Sequence, residues 1–286
     1  AGETGAAISQ HPGIDCVAFT GSVATGRKVG IACAGRNARA NLEMGGKDPF
    51  IVCDDIGAEG VEIAARGGAW AAYLNAGQVC TSSERFYVME DIYDDYVGAF
   101  VEHTRSLIVG DPLDPKTDIG PMVSAAQRGK AIAQVVAAEA AGAEILTGGG
   151  NAGMDTGHYL EPCVLTGVPE DADLLTEETF GPVAPIVRVA SLDEAIAKAN
   201  RLDFGLGANI YTRDLRTAVR CLKEVRAGSV WINDPLTDND AGPFGGFKDS
   251  GIGRELGTEG LDAFREAKHV HMDSVIEVKD WWYPYG

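Results

Sequence analysis

Short apolar runs that are typical of β-strands alternate along this chain with longer segments that are typical of helices. The apolar runs predict strands over residues 16–20, 38–44, 49–53, 85–90, 207–212 and 228–233. Helices are predicted over residues 21–35, 58–77, 92–109, 124–142, 191–202 and 214–225. Strands that alternate with helices form parallel sheets, because a helical crossover returns the chain to the same end of the sheet. The sequence therefore predicts an α/β fold with a largely parallel sheet.

The charge balance excludes several classes of partner. The 286 residues carry a formal net charge of −18. Such a charge repels nucleic acids and anionic lipids, so neither a nucleic acid nor a membrane surface is expected as a partner. The sequence holds no apolar run of the length that a transmembrane helix needs. Its first residues also lack the charged and apolar regions of a signal peptide.

The six cysteines are scattered and form no CxxC pair. In a chain of this length, such a distribution predicts neither a disulfide framework nor a zinc site, and no metal is expected. A reducing compartment fits this distribution best, so the predicted location is the cytoplasm. The chain has no initiator Met and opens on a helix-like segment, so we expect it to begin inside a longer protein.

One cysteine, Cys80, differs from the others in its neighbours. It lies in the stretch NAGQVCTSSER (residues 75–85), after a helix that is predicted to end at Gly77. A lone cysteine is more often a core thiol than a nucleophile, but the polar residues around this one would pack poorly in a core. A turn of small residues can also present N–H groups that stabilise a thiolate. A cysteine–histidine hydrolase is disfavoured, because no histidine stands in a recognisable protease context.

Three further segments are ambiguous when each is taken alone. The turn at Gly21 has P-loop spacing but lacks the lysine and hydroxyl of a nucleoside triphosphate site, so it suits an anion or a dinucleotide at most. Glu43 ends a predicted strand beside two glycines, at the edge where open α/β proteins bind ligands. Glu178 precedes Phe180 and a Gly-Pro turn, a combination that would suit a ribose hydroxyl and a flat ring.

The order of these motifs is more specific than any one of them. The segments FTGS, LEMGGK, GQVC, ETFGP and PFGGFK follow one another here as they do in the aldehyde dehydrogenase superfamily. The chain resembles roughly the C-terminal three-fifths of such an enzyme, over essentially its whole length. The resemblance implies part of a Rossmann-type cofactor domain over residues 1–45, an α/β catalytic domain over 46–246, and a return to the cofactor domain over 247–286.

The resemblance also implies the chemistry of the site. Cys80 matches the nucleophile, which attacks an aldehyde to give a thiohemiacetal whose hydride passes to the nicotinamide and leaves a thioester. Glu43 matches the general base that activates water to hydrolyse this thioester. Glu178 and Phe180 match the residues beside the nicotinamide ribose and ring. The implied cofactor is NAD, with NADP not excluded.

Other residues match less central positions of the family. Gly21 and Ser22 match the turn beside the pyrophosphate and nicotinamide side of the cofactor, and Glu255 matches a second carboxylate that could relay protons. The side chains expected to line the substrate tunnel are Trp70, Tyr73, Leu74, Val79 and Thr81. The oxyanion asparagine and the adenosine-ribose lysine of the family lie in its N-terminal part. If the molecule began at Ala1, we would therefore expect weak dinucleotide binding and little turnover.

The identity of the aldehyde is left open by the sequence. The loop at 233–242 carries three aspartates in the region that reaches the substrate entrance in the family. These carboxylates could favour a cationic aldehyde, or they could belong to a solvated loop. Leu74 stands where betaine aldehyde enzymes tend to place a tryptophan, which counts against that substrate.

Two alternatives and one further partner follow from the resemblance. A CoA-acylating enzyme would resolve the thioester with CoA instead of water, but such enzymes usually lack the base that Glu43 matches. A catalytically inactive or structural fragment is the other alternative. The family pairs C-terminal strands between subunits, so a predicted strand at 269–278 and the aromatic tail at 281–285 imply a homodimer or homotetramer.

Overall fold

The computed structural model describes residues 2–285, and strands and helices alternate along it. The strands are β1 (Cys16–Gly21), β2 (Arg39–Met44), β3 (Asp48–Val52), β4 (Ser83–Met89), β5 (Glu144–Thr147), β6 (Cys163–Thr166), β7 (Val183–Val189), β8 (Gly207–Tyr211), β9 (Ser229–Ile232) and β10 (Gly251–Ile252). The α-helices are α1 (Gly2–Gln10), α2 (Val23–Ala34), α3 (Gly57–Tyr73), α4 (Tyr93–Ser106), α5 (Ala125–Ala140), α6 (Asp173–Thr176), α7 (Leu192–Asn200), α8 (Leu215–Glu224) and α9 (Gly257–Asp262). The predicted α/β class is confirmed.

The strands form two sheets. The larger sheet has the order β5-β6-β7-β4-β3-β8-β9, and its pairs are parallel except for β5 with β6. The smaller sheet has the order β1-β2-β10, with β1 parallel and β10 antiparallel to β2. The chain therefore returns, at 251–252, to the sheet in which it began. The domain boundaries after residues 45 and 246 stay a prediction.

Register brings chemically useful residues to one end of the smaller sheet. Thr20 pairs with Glu43 at the ends of β1 and β2, and Gly251 of β10 pairs with Glu43 from the other side. Only a few residues then separate the end of β2 from the start of β3. The carboxyl end of β1 and β2 thus meets the end of the larger sheet at which β3 begins, and the carboxyl ends of parallel strands are where open α/β sheets bind ligands.

The largest core cluster lies where α3 and α4 pack on the larger sheet. The ring centroid of Phe86 lies 5.0 Å from that of Phe50 and 5.3 Å from that of Phe100. Helix α3 approaches these rings closely because it is rich in alanine and glycine. A Cβ at Gly68 would lie 2.5 Å from the hydroxyl of Tyr96, so a larger residue there would push α3 away from α4.

Several boundaries differ from the sequence-based predictions. Helix α3 ends at Tyr73, and Leu74–Gly77 forms a short 3₁₀ turn instead of continuing the helix to residue 77. Strands β5, β6 and β7 were not predicted. Strand β7 begins directly after Gly181-Pro182, in a segment whose turn residues suggested a loop. The strand forms because it pairs with β6 on one side and β4 on the other, and the local sequence does not indicate this pairing.

The strand predicted over residues 269–278 does not form in the single chain. These residues are exposed and have no regular secondary structure. A strand is stable only when another strand pairs with it, and within residues 2–285 no strand of the two sheets pairs with this segment. The prediction was therefore wrong for the isolated chain.

Two findings bear on the expected surroundings of the chain. No helix within residues 2–285 is long and apolar enough to cross a membrane. All six cysteines are free thiols, and Cys16 and Cys80 are the two that are partly exposed. The cytoplasmic location stays a prediction.

The core assignment predicts the effect of removing one ring. We expect Phe86→Ala to lower the free energy of unfolding by about 3–5 kcal/mol, because the cavity it leaves is enclosed by other rings. Urea denaturation followed by circular dichroism measures this loss. The matched control is Phe264→Ala, at a side chain that is 62% exposed, and it should change stability by less than about 0.5 kcal/mol. Equal losses in both variants would contradict the assignment.

Candidate active site

A cavity of about 440 Å³ opens at the ends of β1 and β2. It brings together seven of the residues that the sequence singled out, which are Gly21, Ser22, Glu43, Cys80, Glu178, Phe180 and Glu255. These residues are far apart in the chain and come from both sheets and their loops. The cavity therefore places a thiol, three carboxyl groups and a strand–helix turn within one enclosed space.

Backbone geometry, not a regular element, carries Cys80 into this cavity. After α3, Asn75, Ala76 and Gly77 are all left-handed, with φ of 53°, 57° and 71°. A Cβ at Gly77 would lie 2.3 Å from the carbonyl of Gly181, so only glycine fits this close approach. The side-chain amide of Asn75 donates to the backbone carbonyl of Gln78 at 3.1 Å, and the side-chain amide of Gln78 donates to the backbone carbonyl of Asn75 at 3.0 Å.

The Cys80 thiol is held in its protonated form. Burial raises the pKa of Cys80 to about 11, and the negative charges of Asp48 and Glu43 act in the same direction. The backbone N–H groups of Thr81 and of Cys80 itself oppose this shift. A thiolate is the reactive form of cysteine, so this thiol needs either a base or a positive charge beside it before it can attack a carbonyl.

Glu43 has the properties of a proton acceptor. Its side chain is buried, and both carboxylate oxygens lack a hydrogen-bond partner among the described residues. Burial and, to a lesser degree, the charge of Glu255 raise the pKa of Glu43 to about 8, and the charge of Arg254 opposes them. A base is most useful when its pKa lies near the working pH. Gly245 approaches this carboxylate so closely that a Cβ there would lie 2.9 Å from Oε1.

Glu178 lies on the other side of the cavity. Burial raises the pKa of Glu178 to about 7, and the charge of Glu84 adds to the effect, whereas Lys130 and Lys47 oppose it. The backbone of Gly45 packs directly against this carboxylate, because a Cβ at Gly45 would lie 2.1 Å from Oε1. Gly45 therefore leaves room for the Glu178 side chain.

The residues predicted for the substrate tunnel do not all lie together. Trp70, Tyr73 and Leu74 line a separate cavity of about 160 Å³ together with His103 and Asp118. Val79 and Thr81 lie outside the lining of both cavities, among the residues that the structure describes. The tunnel assignment stays a prediction.

The chain is similar to known proteins over nearly its whole length. The profile described as "Aldehyde dehydrogenase family" matches residues 1–270. The chain belongs to the aldehyde dehydrogenase family. A mitochondrial aldehyde dehydrogenase from Leishmania tarentolae is 39% identical over 276 residues, which are 96% of this chain and 55% of that protein. A betaine aldehyde dehydrogenase from Mesorhizobium japonicum is 39% identical over 277 residues, which are 96% of this chain and 56% of that protein.

A solved relative extends the comparison to the fold. The betaine aldehyde dehydrogenase from Staphylococcus aureus, crystallised in complex with NAD+, aligns with a TM-score of 0.92 at 33% identity. The alignment covers 99% of this chain and 56% of that one. The chain thus spans about half the length of the aldehyde dehydrogenases that it matches.

Sequence reasoning missed several residues of this aldehyde dehydrogenase site. Gln127 and Lys130 line the cavity from α5, where their three-residue spacing puts them on one helix face but no local pattern marks them. The buried pair of Lys47 and Glu84 was also missed, because a glutamate so close to the nucleophile resembles a surface charge.

Within residues 2–285, no group of three or more His, Cys, Asp or Glu side chains is placed to hold a metal ion.

The electrostatics of the site predict how the Cys80 thiol reacts. Because the charge of Glu43 raises the pKa of Cys80, Glu43→Gln should lower that pKa and increase the thiolate fraction. At pH 9, where Glu43 is ionised, iodoacetamide should alkylate Cys80 faster in this variant, by up to about tenfold for each unit of pKa. Peptide mass spectrometry measures the rate.

The matched control for this measurement is Glu59→Gln, an exposed carboxylate on α3. It should leave the alkylation rate of Cys80 unchanged. A slower reaction in Glu43→Gln would contradict the sign of the interaction between the two groups.

Proposed function

We propose that this chain carries the catalytic site of an NAD(P)-dependent aldehyde dehydrogenase that oxidises a small aldehyde to the carboxylic acid. The observation that carries the proposal is one cavity lined by the Cys80 thiol, by Glu178 and by Glu43, whose carboxylate has no hydrogen-bond partner among the described residues. Membership of the aldehyde dehydrogenase family supports the same reaction. The activity is a proposal because the chain spans about half the length of its relatives.

The residues present fit a dinucleotide. Glu178 and Phe180 offer a carboxylate and a ring to a nicotinamide riboside, and the turn at Gly21 and Ser22 precedes α2, whose free N–H groups suit a phosphate. A second cavity, of about 710 Å³, lies between α1 and α2 and is bordered by Thr25. The strand–helix turn therefore lies between two cavities, one for each half of a dinucleotide. NAD is the proposed cofactor, with NADP as the alternative.

The chemistry assigns one task to each residue. The Cys80 thiol loses its proton to water, and its sulfur then attacks the aldehyde carbon to give the oxyanion of a thiohemiacetal, to which the N–H of Cys80 donates a hydrogen bond. A bound nicotinamide supplies the acceptor for the two electrons and the hydrogen that leave the carbon. Glu43 then takes a proton from water, and the water oxygen attacks the resulting thioester. The carboxylic acid leaves, and Cys80 regains its proton. Glu255, beside Glu43, is placed to relay the proton away.

Replacing the two central residues separates the two halves of this reaction. Cys80→Ala should abolish aldehyde-dependent NADH formation, because no covalent intermediate can form. Glu43→Gln should still release up to one equivalent of NADH in a burst but should slow steady turnover by at least about a hundredfold, because hydrolysis loses its base. Stopped-flow absorbance at the NADH band measures both phases.

Product analysis provides the control for that experiment. The unaltered chain should form the carboxylic acid, and added CoA should not increase NADH formation. Turnover that survives in Cys80→Ala would overturn the cysteine mechanism. An acyl-CoA product would replace the hydrolytic assignment by the CoA-acylating alternative.

We also propose that the C-terminal segment joins two copies of the chain. Residues 269–278 pair with no strand of the described chain, and Trp281, Trp282, Tyr283 and Tyr285 are exposed. Burying such a cluster against a second copy would remove a large apolar surface from water. Sedimentation at micromolar concentration should show a dimer or tetramer, and removal of residues 269–286 should give a monomer. A monomeric unaltered chain would contradict this assembly.

A further inference from the structure

A buried ion pair lies just behind the cavity, and the reaction proposed above gives it no task. Glu84 follows Cys80 by four residues at the start of β4, and Lys47 precedes β3. Their side chains are 3% and 0% exposed, and Lys47 Nζ lies 2.5 Å from Glu84 Oε2. Burial lowers the pKa of Lys47, and the charge of Glu84 opposes that change. Each charge therefore depends on the other for its stability in the interior.

Stability alone does not account for this pair. Removing two charges from water costs about as much free energy as their attraction returns, so a buried pair is weak evidence for a stabilising role. Its geometry is more informative, because the pair also binds a segment that lines the cavity.

Apart from the bond between them, the ammonium of Lys47 and the carboxylate of Glu84 form hydrogen bonds, among the described residues, with residues 179 and 180. Glu84 Oε2 accepts the backbone N–H of Thr179 at 2.7 Å, and Oε1 accepts that of Phe180 at 2.8 Å. Lys47 Nζ donates to the hydroxyl of Thr179 at 2.9 Å. Phe180 is left-handed, with a φ of 52°, a conformation that a side chain as large as phenylalanine rarely adopts unless it is held there. The two N–H bonds to one carboxylate supply such a hold.

We propose that Glu84 is a positioning residue, which uses Lys47 to hold the segment 178–180 so that Glu178 and Phe180 face the cavity beside Cys80. The inference rests on the proposed function, because it treats Glu178 and Phe180 as contacts of the cofactor. Glu84 lies only four residues after Cys80, so a segment that Glu84 holds is also held in a defined position relative to Cys80.

The electrostatic effect of Glu84 points the same way. Its charge is the largest influence after burial that raises the pKa of Glu178, while Lys130 and Lys47 are the cations that oppose it. Under this proposal Glu84 influences both the position and the pKa of Glu178. A residue that only filled space would do neither.

The opposite side of the segment is held independently. The side chain of Gln127 donates to the carbonyls of Thr179 at 2.9 Å and of Phe180 at 3.1 Å. Gly77 also packs against the Gly181 carbonyl. Loss of Glu84 should therefore loosen residues 178–180 without unfolding the chain.

The decisive variant is Glu84→Gln, which keeps the size of the side chain but removes its charge and one acceptor oxygen. Hydrogen exchange read by NMR should show the amides of Thr179 and Phe180 exchanging at least about tenfold faster, while the amides of β7 stay protected. A ¹³C titration of the Glu178 carboxyl should show its pKa falling, because a neighbouring negative charge is gone. Unchanged exchange together with an unchanged Glu178 pKa would overturn the proposal.

Two further variants separate the effect of the Glu84 charge from the effect of its side-chain length and from non-specific destabilisation. Glu84→Asp keeps the charge but is too short for both N–H groups, so it should speed the exchange and leave the Glu178 pKa raised. The control Asp94→Asn breaks the exposed pair between Asp94 and Arg188 and should change neither quantity. If Glu84→Gln fails to fold, the double variant K47M/E84Q carries the same two measurements without an unpaired buried charge.

Neither measurement needs a cofactor, which keeps this proposal distinct from the proposed function. The proposed function is tested by titrating the protein with NADH and following the fluorescence of NADH. If the unaltered chain binds NADH, Glu84→Gln should weaken the binding by about tenfold or more, and equal binding in both chains would count against positioning. If the unaltered chain binds no NADH, the cofactor site fails for this chain, and the exchange and titration results still decide the role of Glu84.

Discussion

Parallel pairing of β3 with both β4 and β8 is the constraint on which the rest of the structure depends. Parallel strands start at one edge of a sheet and end at the other, so the segments that lead into them also gather at one edge. Lys47 precedes β3, Cys80 precedes β4, and Glu84 lies at the beginning of β4. Since β2 ends only a few residues before β3, Glu43 reaches the same place from the smaller sheet.

These segments carry polar side chains, and most of those side chains are buried, so they need hydrogen-bond or ion-pair partners inside the protein. A buried polar group without a partner destabilises the fold, and Glu84 satisfies this condition with Lys47 and two backbone N–H groups. Glu43 does not, because both of its oxygens lack partners among the described residues. This contrast fits the proposed roles, in which Glu84 positions a segment of the site and Glu43 accepts a proton. Burial and the charge of Glu255 together raise the pKa of Glu43 to about 8, and the charge of Arg254 opposes this rise.

How far the sequence predicts this arrangement depends on the kind of signal each residue carries. The alternation of strands and helices follows from apolar runs, and the convergence of Glu43, Cys80 and Glu178 follows from the order of their motifs. Strand β7 and the residues Gln127 and Lys130 could not be predicted, because pairing and helix packing between distant segments place them. The strand expected at 269–278 failed for a related reason, since its local pattern is strand-like but the single chain offers it no partner.

The three ionisable groups of the cavity also constrain when the thiol can react. Burial raises the pKa of Glu178 to about 7, that of Glu43 to about 8 and that of Cys80 to about 11. Transfer of the Cys80 proton to Glu43 is therefore uphill, although Lys130 also lines the cavity. A cation in the cavity would stabilise the thiolate more strongly as the surroundings become drier, because charge interactions grow as the dielectric constant falls. Under the proposed function, a positively charged group beside the thiol, such as an oxidised nicotinamide ring, would therefore lower the pKa of Cys80 that burial raises.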